Sequence, residues 1–202
     1  MKNYQKEMEN IINCLDPKKK YKLLLHSCCG PCSSYVIEYL SKYFDITVLY
    51  YNPNISPIEE YEYRKKEQIR LINEMKTIHL VNFLDCDYDG EKFEYTIKGL
   101  ENEPERGKRC SRCYYLRLEK TAIIAKKNNY DFFTTTLTVS PYKDSNRINN
   151  MGRLLSKRYN IDFLYSDFKK KNGYKRSIEL AKEYNLYRQN YCGCIYSKRE
   201  EK

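Results

Sequence analysis

Short apolar runs alternate along this chain with longer stretches in which apolar residues recur every three or four positions. Residues 21–26, 46–51, 78–84, 131–137 and 161–165 are runs of strand length, rich in Leu, Ile, Val, Phe, Tyr and Thr. Between them, residues 33–42, 58–75, 91–100, 144–158 and 174–184 carry helical spacing, as does the stretch from Cys110 to Lys127. Ser33 or Ser34 is available to cap the first of these helices. Asn52-Pro53-Asn54-Ile55-Ser56-Pro57 and Gly107 break the pattern. Strands separated by helices predict an α/β fold, a single open parallel sheet of about five strands covered by helices on both faces. The polar residues 1–20 precede the first strand as a leader, and residues 21–202 form one α/β domain.

Composition narrows the class. The 202 residues are 41% hydrophobic and 32% charged, typical of a soluble protein with a real core. No stretch approaches a membrane span, and residues 1–13 lack the apolar core of a signal peptide, so the expected location is the cytoplasm, where thiols stay reduced. Lys and Arg number 37 against 27 acidic residues, a net charge of +10 that invites a polyanion. Enrichment in Lys, Asn, Ile and Tyr together is also what an AT-rich genome produces. Position separates these readings. Basic residues concentrate late, at Lys143, Arg147, Arg153, Lys157, Arg158, Lys169, Lys170, Lys171, Lys175 and Arg176. Tyr142, Tyr159, Phe168 and Tyr174 interleave with them, and rings that stack on unpaired bases beside cations that meet phosphates suit a nucleic acid.

The densest chemical signal is sulfur. Seven of nine cysteines fall into Cys28-Cys29-Gly30-Pro31-Cys32, Cys110-Ser111-Arg112-Cys113 and Cys192-Gly193-Cys194. In an open parallel sheet ligands bind beyond the carboxyl ends of the strands, and the first group directly follows the first strand. Cys110 and Cys113 start a helix with both sulfurs on one face, where the helix N-terminus favours thiolate. Cys192 and Cys194 share a side of an extended segment. A zinc site of four thiolates leaves the adjacent Cys28 and Cys29 unexplained, whereas neighbouring thiolates can bind different irons of one cluster, so the spacing favours iron-sulfur over zinc. Cys14 and Cys86 are expected to be small buried hydrophobes explained by packing, outside any metal site.

Several blocks together resemble the cobalamin-independent epoxyqueuosine reductases of queuosine biosynthesis. They are Leu24-Leu25-His26-Ser27-Cys28-Cys29-Gly30-Pro31-Cys32, Tyr51-Asn52-Pro53-Asn54-Ile55, Arg109-Cys110-Ser111-Arg112-Cys113-Tyr114, the run from Thr135 to Lys143, and the segment from Asp167-Phe168-Lys169-Lys170 through Tyr191-Cys192-Gly193-Cys194. The resemblance implies a Rossmann-like fold of adenosine-nucleotide hydrolase type and an oxidoreductase that removes the epoxide oxygen of epoxyqueuosine at the tRNA wobble position. It implies a 4Fe-4S cluster on Cys28, Cys29, Cys110 and Cys113, and an additional mononuclear iron on Cys32, Cys192 and Cys194. Some relatives are understood to carry aspartate where Cys32 stands, so the third protein ligand of that iron differs among them.

An iron with an open position acts as a Lewis acid on the departing oxygen, which assigns Cys32, Cys192 and Cys194 to the reacting centre. His26 and Tyr142 are candidate proton donors, with Asp144 and Tyr191 nearby in sequence. The bland reading of His26 is a satisfied structural histidine, and Thr134-Thr135-Thr136 reads as ordinary strand. Tyr142, Lys143, Arg147, Lys169 and Lys170 are candidate tRNA contacts, although Lys169 to Lys171 also fit a plain solvated face. No nicotinamide or flavin motif is visible, so an external donor such as a ferredoxin or flavodoxin is expected. Two rival classes stay open. An ATP-dependent tRNA-modifying enzyme of related fold would need a glycine-rich turn where Cys28 to Cys32 stand. A zinc-bound RNA-binding module would use the thiolates only as staples.

Overall fold

Side chains of the central strand sort by parity, and that sorting builds the molecule. In the computed structural model, which describes residues 2–198, β1 (Tyr21–His26) pairs with β2 (Phe44–Tyr50) on one side and β4 (Phe132–Thr135) on the other. β3 (Val81–Asp85) extends the sheet beyond β2, and β5 (Asp162–Phe163) beyond β4. All pairings are parallel and the order is β3-β2-β1-β4-β5. Met1 and residues 199–202, the end of the unit read as 21–202, lie outside the described residues.

The helices are α1 (Tyr4–Asn13), α2 (Gly30–Leu40), α3 (Ile58–Glu74), α4 (Gly90–Ile97), α5 (Lys108–Lys127), α6 (Ser145–Tyr159) and α7 (Gly173–Glu183). Leu24, Leu49, Phe133 and Phe163 point to one face and pack against α4, α5 and α6. Leu23, Leu25, Ile46 and Val48 point to the other and meet residues of α1, α2, α3 and α7. This is the doubly wound α/β sheet that the alternation of apolar runs and helical spacing predicts. Among the described residues no helix is long and apolar enough to cross a membrane.

Four local expectations change. The leader contains α1, capped by Asn3 Oδ1 accepting from Lys6 N, and it buries Met8 and Ile12 against the sheet. α2 starts at Gly30 rather than Ser33, because Pro31 suits the first turn and Cys29 occupies the capping position. β3 starts at Val81, since Ile78 and Leu80 are 74% and 63% exposed and have no face to bury. β4 ends at Thr135, whose hydroxyl accepts from Leu137 N and opens a 3-10 turn, Thr136–Val139.

The order of strands fixes where a ligand belongs. The chain winds outward from β1 through β2 to β3, then returns to the opposite side of β1 for β4 and β5. The reversal opens a crevice beyond the carboxyl ends of β1 and β4. Cys28 and Thr136 face each other there, Sγ to Oγ1, at 3.8 Å.

Candidate metal centre

Three thiols gather at the amino end of α2. Cys29 is extended (φ −172°, ψ 159°) ahead of the helix, Cys32 lies in its first turn, and Cys28 sits in the turn before it. Their Sγ atoms all lie within 4.8 Å of one another, with Cys28 and Cys29 3.8 Å apart. Ser34 Oγ donates back to the Pro31 carbonyl at 3.0 Å, so neither serine caps the helix from outside. Hydrogen bonds from Cys29 and Cys32 hold the Cys28 thiol well below its ordinary pKa, despite burial, with Lys143 and Arg117 adding to the effect. The same contact with Cys28 raises Cys29 to about 12 and Cys32 as well.

Two further pairs stand around this trio. Cys110 and Cys113 start α5, and Cys113, Cys194, Cys28 and Cys110 share one packed cluster. Burial pushes Cys113 up to about 12, and it raises Cys194 too. The Cys192-Gly193-Cys194 turn is held against α3 and the segment before it. Gly193 O accepts from Ser56 N at 2.9 Å, and Tyr191 Oη donates to Ser56 O at 2.9 Å. Arg64, only 1% exposed, forms an ion pair with Glu60 at 2.7 Å and lies 5.1 Å from the Tyr191 ring centre, with Nη1 3.4 Å from the Cys192 carbonyl. Gly193 adopts φ +101°, a conformation that favours glycine, and a Cβ there would meet Ile55 Cγ1 at 2.8 Å.

A cavity of about 270 Å³ opens over the trio, lined by Cys28, Cys29, Cys32 and Cys192 and walled by Tyr142, Lys143, Tyr174 and residues 188–191. Tyr142 stands at its mouth, 60% exposed, with the Arg106 guanidinium 5.4 Å from its ring centre. Lys143 turns its ammonium inward, 3.6 Å from Cys192 Sγ. Burial opposes that charge, but the neighbouring Cys192 and Tyr114 more than compensate and raise its pKa above the usual lysine value. Lys143 is thus aimed at sulfur rather than at an outside phosphate.

Other sequence candidates are placed differently. His26 is fully buried with Nδ1 2.9 Å from Thr135 Oγ1 and Nε2 3.2 Å from the Tyr51 carbonyl. Both ring nitrogens are engaged, and burial, aided by Arg117, drives its pKa down to about 3. The geometry makes it a neutral brace, with no free nitrogen to hand a proton into the cavity. Thr134 Oγ1 donates to the Leu164 carbonyl at 2.8 Å, so of the three threonines only Thr136 presents its hydroxyl to a thiol. Arg147 Nη1 donates to the Arg106 carbonyl at 2.6 Å and to Ser111 Oγ at 3.0 Å, bracing the loop before α5. Lys169 pairs with Asp167 at 2.6 Å, while Lys170 is exposed. Cys14 is exposed at the end of α1 rather than packed, while Cys86 is half-buried against the cluster that holds Cys113 and Cys194 but is not one of the three sulfurs gathered within 4.8 Å.

Three residues of the site went unread in the sequence. Arg117, Arg64 and Gln68 are buried at 1%, 1% and 0% exposure. Gln68 Oε1 accepts from Ser27 Oγ at 2.7 Å and lies 2.8 Å from Ser33 Oγ, which locks α3 to the cysteine turn. The signal was helical phase. Arg117 falls seven residues after Cys110 and four after Cys113, on their face of α5, and Tyr61, Arg64, Gln68 and Leu71 form the buried face of α3.

The profile of the family described as "Epoxyqueuosine reductase QueH" matches residues 23–200. The chain belongs to this family. An epoxyqueuosine reductase QueH of Streptococcus pyogenes serotype M1 is 42% identical over 198 residues, covering 96% of this chain and 78% of the relative. The QueH of Staphylococcus epidermidis is 42% identical over 200 residues, 96% of this chain and 84% of its own length. That of Thermotoga maritima is 35% identical and covers 89% and 92%. Among solved structures, a protein described as a predicted subunit of tRNA methyltransferase from Methanocaldococcus jannaschii superposes with a TM-score of 0.53 over 81% of this chain and 76% of its own, at 16% identity. That likeness concerns the fold alone.

The donor set fits a thiolate-held metal group. Cys28, Cys29 and Cys32 are close enough to share metal, they border a cavity, and soft sulfur donors select iron or zinc over hard cations. The trio cuts across the two ligand sets that the resemblance implies, because Cys32 lies beside Cys28 and Cys29, while Cys28 is the member of the trio that also shares a packed cluster with Cys110, Cys113 and Cys194.

Proposed function

We propose that this chain reduces epoxyqueuosine in tRNA to queuosine, with an iron-sulfur group seated in the thiol cavity. The observation that carries the proposal is the position of the Cys28, Cys29 and Cys32 sulfurs, within 4.8 Å of one another at the strand-order reversal of a QueH-family chain. Removing an epoxide oxygen as water consumes two electrons and two protons and leaves an alkene. Cys28, Cys29, Cys110 and Cys113 would hold a 4Fe-4S cluster, and Cys32, Cys192 and Cys194 an additional iron. The bound group supplies electrons singly and a Lewis-acidic site for the departing oxygen.

The chain's own residues supply the rest. Tyr142 at the mouth offers an exposed ring for a splayed base, and Arg106 beside it a cation for phosphate. The exposed Lys170 offers a more distant backbone contact, Lys169 and Arg147 serve through the carboxylate and carbonyl they already hold, and the inward Lys143 is directed at the reacting centre. His26 braces the β1–β4 seam beneath. A ferredoxin or flavodoxin is the proposed electron donor and the cytoplasm the proposed site of action.

Anaerobic reconstitution with iron and sulfide, followed by absorption spectroscopy and metal analysis, tests the reading. Brown protein with bound iron and sulfide that converts epoxyqueuosine-tRNA supports it. Colourless protein holding only zinc, or full turnover by Cys192→Ala and Cys194→Ala, overturns it.

A further inference from the structure

Arg117 is a buried cation of α5 that the proposed chemistry leaves unused. It lies one turn beyond Cys113 on α5 and is 1% exposed. Nε donates to the Cys113 carbonyl at 3.3 Å and Nη1 to Asn52 Oδ1 at 3.4 Å, while Nη2 has no partner. Asn52 is fixed in turn by donating Nδ2 to the Ser27 carbonyl at 2.8 Å, next to Cys28. Both acceptors are neutral, and among the described residues no carboxylate pairs with Arg117.

A guanidinium keeps its charge in any protein interior, and an unpaired buried cation is strongly destabilising. Something anionic must therefore face it in the working protein. The groups that favour its charge include the Cys113, Cys192 and Cys28 sulfurs and the Tyr114 phenol, whose ring centre lies 5.6 Å from the guanidinium carbon. A phenol stays neutral near neutral pH, whereas sulfur that binds metal does so as thiolate.

We infer that Arg117 is the buried counter-cation of the thiolate-held group, a positioning residue whose charge and unpartnered Nη2 raise that group's reduction potential. The inference rests on the iron-sulfur reading above. Taking up an electron adds negative charge beside a fixed positive one in a poorly screened interior, so the reduced state gains more than the oxidised state.

The test compares anaerobically reconstituted wild type, Arg117→Gln and Arg117→Lys, with iron and sulfide counted for each and midpoint potentials taken by optical and EPR-monitored titration. Arg117→Gln is expected to keep the wild-type iron but to reduce at least tenfold less favourably, a shift of about 59 mV to more negative potential for one electron. Arg117→Lys keeps the charge and is expected to stay within threefold of wild type. An iron-loaded Arg117→Gln with unchanged potential overturns the inference. If Arg117→Gln does not fold or load, Arg117→Lys decides, a tenfold shift overturning the counter-cation role and one within threefold supporting it. A wild type that takes up no iron overturns the underlying reading, and the iron count alone identifies that case.

Discussion

His26 Nδ1 lies 2.9 Å from Thr135 Oγ1 across the seam of β1 and β4, at the point where strand order reverses. Thr135 makes a second contact from the same hydroxyl, accepting from Leu137 N and so ending β4 in the 3-10 turn that carries Thr136 toward Cys28. One pair of side chains thus ties the end of β1 to the end of β4 and starts the turn that leads to Val139 and Ser140 in the cavity wall.

Replacing Thr135 by valine keeps the shape but leaves His26 Nδ1 and Leu137 N without their partner. The expected loss is about 1–3 kcal/mol, the range for an orphaned buried polar group. Chemical denaturation of metal-free, reduced protein measures it. The pH–rate profile should keep its shape, because His26 is a brace; a displaced profile with undiminished stability would give the histidine a proton-transfer role instead.

At Gly193 the constraint is conformational. With φ at +101° and a prospective Cβ 2.8 Å from Ile55 Cγ1 and 3.0 Å from Arg64 Nη1, Gly193→Ala strains the turn by about 1–3 kcal/mol. The turn carries Cys192 and Cys194, so the expected signature is lower iron content per chain, together with the drop of several degrees in the melting temperature of the metal-free protein that strain of this size implies. Arg64→Met removes the contact to the Cys192 carbonyl and should lower iron retention as well.

Acid should loosen the strap that leads to that turn. Glu67 accepts from Arg70 at 2.9 and 3.1 Å and from Tyr187 N at 3.0 Å, and chiefly the Arg70 contact holds its pKa below the usual glutamate value. A carboxylate depressed in the folded state stabilises above its unfolded pKa, and that contribution disappears as pH falls through the folded value. Glu67→Gln should therefore cost about 1 kcal/mol at pH 7 and almost nothing once the pH is below the folded value. Paired melting curves of metal-free wild type and variant between pH 7 and pH 3 check the convergence.

Much of this was written in the hydrophobic pattern. Alternating runs foretold five strands because residues such as Leu23, Leu24 and Leu25 must each find a buried face, and only a sheet covered on both sides provides two. The cysteine groups were legible because their spacing is local. What stayed hidden depended on contacts distant in sequence. Nothing in residues 1–20 announces that Met8 and Ile12 will meet α2 and α7, and Lys143 looks like any surface lysine until Cys192 is folded against it. Arg117 was concealed by its type, since charged residues within amphipathic helices ordinarily face water.

Cys14 and Cys86 supply the last prediction, because they separate a specific thiol site from a chain that is merely rich in cysteine. Cys14 caps the end of α1 in solvent. Cys86 is half-buried beside Asp85 and Asp87, and burial, reinforced by those carboxylates, raises its pKa and disfavours the thiolate that metal requires. Cys14→Ser and Cys86→Ser should each retain the full iron complement after anaerobic reconstitution. Cys29→Ser removes one of three sulfurs that lie within 4.8 Å of one another and should lose most of it. Equal losses in all three variants would mean that iron is held by scattered thiols rather than by the cavity at the sheet's edge.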